Sequence, residues 1–281
     1  MLNVIKMDLY RMIRTKSLYI IWFIAAVCML GTTYILKSES LSEEIHDQSQ
    51  QEVISDYGKG EVALGIMVMT PIEPGEKVTV KDVFYGNAQS KFYALFFVIF
   101  TVLFAMADIN SGYIKNIGGQ IKSRGSLIIA KAVSLLVYTI LSMFVMVLIQ
   151  IVSNRLVLGY VEIGNIKDFF AYMGIQTLLY YALCIICMAI AIILKSNVAS
   201  MVIVICLCMN MFLILYSAID KVLGMIGVKN FNLFKYTVTG RIAMVSQNPT
   251  GKECFPAAVV AISFIVACTA VCVAVFRKRD M

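Results

Sequence analysis

Residues 169–216 read FFAYMGIQTLLYYALCIICMAIAIILKSNVASMVIVICLCMNMFLILY, two long apolar runs joined by Lys195, Ser196 and Asn197 alone. Each run has about the 20 residues that a helix needs to cross a bilayer core of about 30 Å. So short a connector makes the two helices adjacent and antiparallel. Its lysine puts the turn on the cytoplasmic side. The expectation is an all-α polytopic membrane protein.

The pattern extends to the whole chain. Hydrophobic residues make up 60% of the 281 and charged residues 15%, against about 45–50% and about 25% in a soluble domain. Further apolar runs at 18–36, 92–107, 127–152 and 255–276 bring the expected transmembrane helices to six, in a single transmembrane domain covering 1–281. Lys6, Arg11, Arg14 and Lys16 precede the first run, and Arg277, Lys278 and Arg279 follow the last, which makes both termini cytoplasmic. The first run is too long for a cleavable signal peptide and lacks an A-x-A-like end. Residues 1–17 carry Leu2, Ile5, Leu9, Met12 and Ile13 on one helical face, the pattern of an interfacial amphipathic helix lying on the inner membrane surface.

Two stretches are too polar to span. Residues 37–91 hold ten acids (Glu39, Glu43, Glu44, Asp47, Glu52, Asp56, Glu61, Glu73, Glu76 and Asp82) against five lysines, and are expected to form a long extracellular loop. Within it, 62–69 is apolar but short, a lid or interface element. Pro71, Pro74 and Gly75 mark a turn, and His46 is a solvated loop residue. Residues 217–254 are expected outside as well, although Lys221, Lys229, Lys235, Arg241 and Lys252 outnumber Asp220 and Glu253. Ile226, Val228, Phe231, Leu233 and Phe234 alternate there with polar groups, as in short helices or a re-entrant segment.

The net charge of +7 does not point to nucleic acid, because the 24 basic residues are scattered between apolar runs instead of gathered on one face. Seven cysteines lie inside apolar runs and Cys254 stands alone, so no disulfide framework is implied. Cys184 and Cys187 have CxxC spacing but apolar surroundings, which favours packing over redox or metal chemistry. No metal site is expected. The runs contain no ionisable residue beyond Asp108 and Lys131 at inner ends, Lys131 being expected to snorkel to the interface, and this weighs against ion-coupled transport. Most uncharged polar groups in the runs suit hydrogen bonds between helices; Gln150, Gln176 and Asn210 are candidates to line a substrate path. Gly251-Lys252-Glu253 lacks the earlier glycine and the hydroxyl of a phosphate-binding loop. With no HExxH, GxSxG or paired intramembrane aspartates either, no catalytic residue is expected and the chain is not read as an enzyme. Energy for any transport would come from a partner.

The loop between the second and third runs, ADINSGYIKNIGGQIKSRGSLIIAKAV (107–133), resembles that of the permeases of ABC-2 type transporters. Asp108 stands where that family usually has glutamate, Gly112 and Lys115-Asn116 match, and Ser123-Arg124 and Lys131 match; Tyr113 replaces a small hydroxyl residue. The resemblance implies a coupling loop, 108–126, in which Asp108, Gly112, Lys115, Asn116, Lys122 and Arg124 couple to a separate ATPase subunit. That partner would bind ATP and Mg, and this chain no cofactor of its own. It further implies a second permease copy or paralogue and a place in the bacterial plasma membrane, in contact with lipid. The function expected is export of an amphipathic or hydrophobic substrate: a peptide antibiotic or bacteriocin, a drug or a lipid-like molecule. The alternative is a non-transporting membrane sensor or assembly protein whose loop 37–91 binds a ligand or partner.

Overall fold

The computed structural model describes residues 2–41, 68, 77–110, 125–225 and 232–277. Among them are ten α-helices and no strand: α1 (Leu2–Arg14), α2 (Lys16–Leu41), α3 (Val80–Gln89), α4 (Phe92–Asn110), α5 (Gly125–Val157), α6 (Ile166–Leu194), α7 (Asn197–Cys208), α8 (Leu213–Met225), α9 (Val238–Met244) and α10 (Gly251–Arg277). A 3-10 turn, Leu233–Tyr236, precedes α9. His46, the 62–69 stretch apart from residue 68, the turn at Pro71, Pro74 and Gly75, and Ile226, Val228 and Phe231 lie outside the described residues.

Four helices, α2, α5, α6 and α10, are each long and apolar enough to cross a membrane. The protein is therefore membrane-embedded and multi-pass. The count reaches six if α3 with α4, bent by 58°, and α7 with α8, bent by 67°, are each one broken span. The expected hairpin is present: Ser196 caps α7 by accepting from the Ala199 N–H, and Lys195 closes α6 in the left-handed conformation.

The second and fifth spans differ from expectation. Helix already begins at Val80 inside the expected outer loop, and the run 198–216 breaks after Cys208. Each break holds a non-glycine residue with positive φ, Lys91 at 64° and Asn210 at 58°. A left-handed residue cannot continue the helical hydrogen-bond ladder and costs about 1–2 kcal/mol, so composition alone could not reveal the interruption. Of the outer segment 217–254, Ser217 to Met225 continue α8 and Gly251 onward belongs to α10.

Helix α6 is the centre, packing against α4, α5, α7, α9 and α10. In its most apolar stretch 61% of the residues are buried, against 28% in α2 and 17% in α10. The outer faces of those two helices, with Phe23, Val27 and Tyr34 on α2 and Phe255, Ile262 and Val266 on α10, stay exposed as lipid-facing surfaces. Cys184 and Cys187 are fully buried on α6, and all eight cysteines are free.

Helix α1 is present as expected, but its buried face differs. Asp8 and Met12 point inward while Leu2 and Ile13 are exposed, because Asp8 is drawn toward Arg11 and the base of α5. Burial raises the Asp8 carboxyl above the usual aspartate value, against the pull of Lys131 and Arg11. A raised acid pKa means that ionising Asp8 weakens the fold, a penalty that fades as pH falls toward the ordinary aspartate value.

Helix α3 starts with a capping box. Thr79 Oγ1 accepts from the Asp82 N–H at 3.2 Å, and Asp82 Oδ2 accepts from the Thr79 N–H at 2.9 Å. The Val80 N–H reaches the Glu162 carbonyl in the α5–α6 loop at 2.7 Å. Gln247 bonds Asp82 and Asn248 accepts from Lys81, so the approach to α10 is laced over the same helix. Thr79→Ala should destabilise the protein by about 1 kcal/mol, read from SDS unfolding in mixed micelles. An unchanged midpoint would mean that the contacts of α3 with Glu162, Gln247 and Asn248 hold it without the cap.

Candidate functional site, a buried polar layer at two helix breaks

Seven of the ten residues of α3 are buried, and its last turn is polar. Each group there meets a different element. Asn87 Nδ2 donates to Gln150 Oε1 on α5 at 3.4 Å, and the Ala88 carbonyl accepts from Tyr180 of α6 at 2.9 Å. Gln89 Nε2 donates to the Ala243 carbonyl of α9, also at 2.9 Å.

Gln150 is the junction of this layer. Its Oε1 also accepts from Tyr93 at 3.4 Å, while its Nε2 donates to Thr33 of α2 at 3.2 Å and to Asn154 at 2.8 Å. Four helices thus meet through one amide. Gln176 Nε2 donates to Tyr172 at 3.0 Å and to the Ile242 carbonyl of α9 at 3.1 Å. Asn154 Nδ2 and Gln176 Oε1, both buried, have no hydrogen-bond partner among the described residues. Phe84, Tyr93 and Tyr172 pack ring to ring beside the layer.

Asn210 belongs to it through Lys91. The Lys91 ammonium donates to Asn210 Oδ1, so the two left-handed residues at the two breaks touch. Lys91 is 0% exposed, and the Phe234 ring centroid lies 5.7 Å from its nitrogen. None of the four ion pairs among the described residues includes it. Burying a lone ammonium costs on the order of several kcal/mol. This places a buried ammonium one residue ahead of the apolar run 92–107. It also takes Lys91 out of the solvated loop in which the sequence had placed it.

The opposite end of α4 carries a buried ion pair. Asp108 bonds Arg11 of α1, and its Oδ2 lies 2.6 Å from Lys131 Nζ of α5. Lys131 also donates to the Phe104 carbonyl at 2.9 Å and lies over the Phe104 ring. It is 5% exposed and does not snorkel: a carboxylate beside it satisfies the charge better than a stretch toward the interface. Asp108 lies about 26 Å along α4 from Lys91 by helical rise. The remaining expected coupling residues, Gly112, Lys115, Asn116, Lys122 and Arg124, lie outside the described residues.

A family profile described as "Protein of unknown function (DUF2705)" matches residues 49–281. The chain belongs to the DUF2705 family. No curated protein matches it significantly. The stretch shared with DUF2705 holds both helix breaks, Asp108 and Lys131, whereas Asp8, Arg11 and Thr33 precede it.

Of the three expected path residues in this DUF2705 chain, Gln150, Gln176 and Asn210 are all buried and all tied to α3, α9 or the breaks. They sit on separate branches of the layer and do not form one continuous stripe. Sequence reasoning missed Lys91, Asn87, Gln89 and Tyr93. One available signal was Thr79-x-x-Asp82 ahead of an apolar pattern, a helix start inside the supposed loop.

Proposed function

We propose that this DUF2705 protein is the permease subunit of an ABC-2 type exporter in the bacterial plasma membrane. It would move an amphipathic or hydrophobic molecule outward with energy from a separate ATPase subunit. The observation that carries the reading is the contact of two helix breaks through Lys91 and Asn210. Interrupted helices meeting at a buried polar contact are a recurrent architecture of substrate sites in transporters, because the breaks supply both polar groups and a hinge. The resemblance of 107–133 to ABC-2 permeases supports the coupling half. That loop leaves α4 beside Asp108, so a push on it would travel along α4 to the Lys91 break. A second permease copy would complete the pathway, with both termini cytoplasmic.

The test is to co-express the tagged chain with a Walker-type ATPase encoded by a neighbouring gene, if one is present, purify the pair and measure ATP hydrolysis in liposomes. Co-purification and stimulated hydrolysis are expected, with Gly112→Pro or Arg124→Ala reducing the stimulation at least tenfold. A chain that never co-purifies with a Walker-type subunit would sink the exporter reading and leave the sensor or assembly alternative.

A further inference from the structure

We infer that Lys91 is the binding group for an anionic head, so that the molecule handled at the helix breaks is an amphiphile bearing a carboxylate or phosphate. The inference rests on the permease reading only for the direction of movement. The site itself stands on the fold.

Lys91 Nζ has three donors, of which the described residues occupy one, through Asn210. Its other neighbour is the face of Phe234. A carboxamide oxygen and an aromatic face both favour an ammonium over a free amine, yet neither cancels its charge. An ionised group at this depth is ordinarily paired, and in transport proteins such a group marks the substrate or ion path. Here the counter-charge is missing from the described residues. An anion entering when α3 swings away from α4 would meet the Lys91 ammonium at the hinge itself. The Phe234 ring beside the ammonium offers an apolar face to the start of a hydrocarbon tail.

The experiment is scintillation-proximity binding of radiolabelled dodecanoate to the full chain in a neutral maltoside detergent. Dodecyl phosphate, dodecanol and dodecyltrimethylammonium serve as unlabelled competitors. The assay includes no ATPase, so it can fail while the exporter reading stands, and the reverse. Saturable binding is expected, displaced by dodecyl phosphate and not by the alcohol or the cation. Lys91→Gln should weaken it at least tenfold and Lys91→Arg by no more than about threefold. Asn210→Asp should also abolish it, because an internal carboxylate then takes the ligand's place, and that variant should melt higher than wild type. Absent saturable binding to the wild type, equal affinity in Lys91→Gln, or displacement by dodecanol as strong as by dodecyl phosphate would each overturn the inference.

Discussion

Replacing Asp108 by Asn should destabilise the folded protein by about 3–5 kcal/mol, the range seen when one partner of a buried ion pair is removed. The substitution keeps the shape and takes away only the charge. Lys131, 95% removed from solvent by its 5% exposure, then keeps its ammonium with a backbone carbonyl and the Phe104 ring as neighbours. Arg11 loses its bond to Asp108 and keeps the looser contact to Asp8, 3.9 Å away. The loss should appear as an earlier SDS-unfolding midpoint in mixed micelles. The double variant Asp108→Asn with Lys131→Met should recover most of it, because an apolar side chain of similar length needs no counter-charge. If Asp108→Asn alone shifted stability by less than about 1 kcal/mol, the cluster would not be clamping α1 and α5 to α4.

The position of this clamp bears on mechanism. Asp108 lies in the last turn of α4, and the residues after it are those whose resemblance implies docking on an ATPase. At the other end of α4 the chain turns through Lys91 into α3. Under the exporter proposal, a 19-residue helix held at one end by the Asp108 cluster and broken at the other by Lys91 would act as a lever. On that proposal, weakening the Asp108 clamp should lower ATPase stimulation before it lowers ligand binding, since Lys91 and Gln150 are anchored separately.

The long apolar runs were legible because a span is a matter of length and composition, and α5, α6 and α10 lie close to where they were expected. The hairpin at Lys195 was legible for the same reason. The breaks were not. Lys91 stands next to an apolar run and reads as the end of a loop, and only the packing of α3 over α6 and α9 takes it out of water. Asn210 reads as one polar residue in an apolar run, the common sign of an interhelical bond. Its left-handed backbone depends on a partner 119 residues away. Lys131 shows the same limit: whether a lysine snorkels or pairs depends on which carboxylate a neighbouring helix brings, and Asp108 lies on a different helix. Gln150, Gln176 and Asn210 stood out as candidates to line a substrate path, and all three are buried. Their division among α2, α3, α5 and α9 could not be read from spacing, because those contacts are set by the tertiary arrangement.

Gly240→Ala is the second change expected to act strongly, at about 3 kcal/mol or more. A Cβ at Gly240 would lie 1.9 Å from the Phe234 carbonyl oxygen and 2.8 Å from its carbon, both backbone atoms that cannot rotate away. The tight approach comes from the way α9 begins. Thr237 caps it by accepting from the Gly240 N–H at 3.0 Å while donating to the Phe234 carbonyl at 2.8 Å, which folds the 3-10 turn back against the first turn of the helix. Relieving the clash means moving α9 or the turn. Either movement withdraws the Ile242 and Ala243 carbonyls that receive Gln176 and Gln89, or shifts the Phe234 ring from Lys91. The cost should thus exceed that of a local clash and should weaken the polar layer as well as the fold. Gly174→Ala on the exposed side of α6, where a Cβ meets nothing within 4 Å, is the control. It should leave stability unchanged or raise it by about 0.5–1 kcal/mol, since alanine is the better helix former. Should Gly240→Ala unfold within about 1 kcal/mol of the wild type, α9 would be free to shift without cost. Its carbonyls could then not be fixed acceptors for the polar layer.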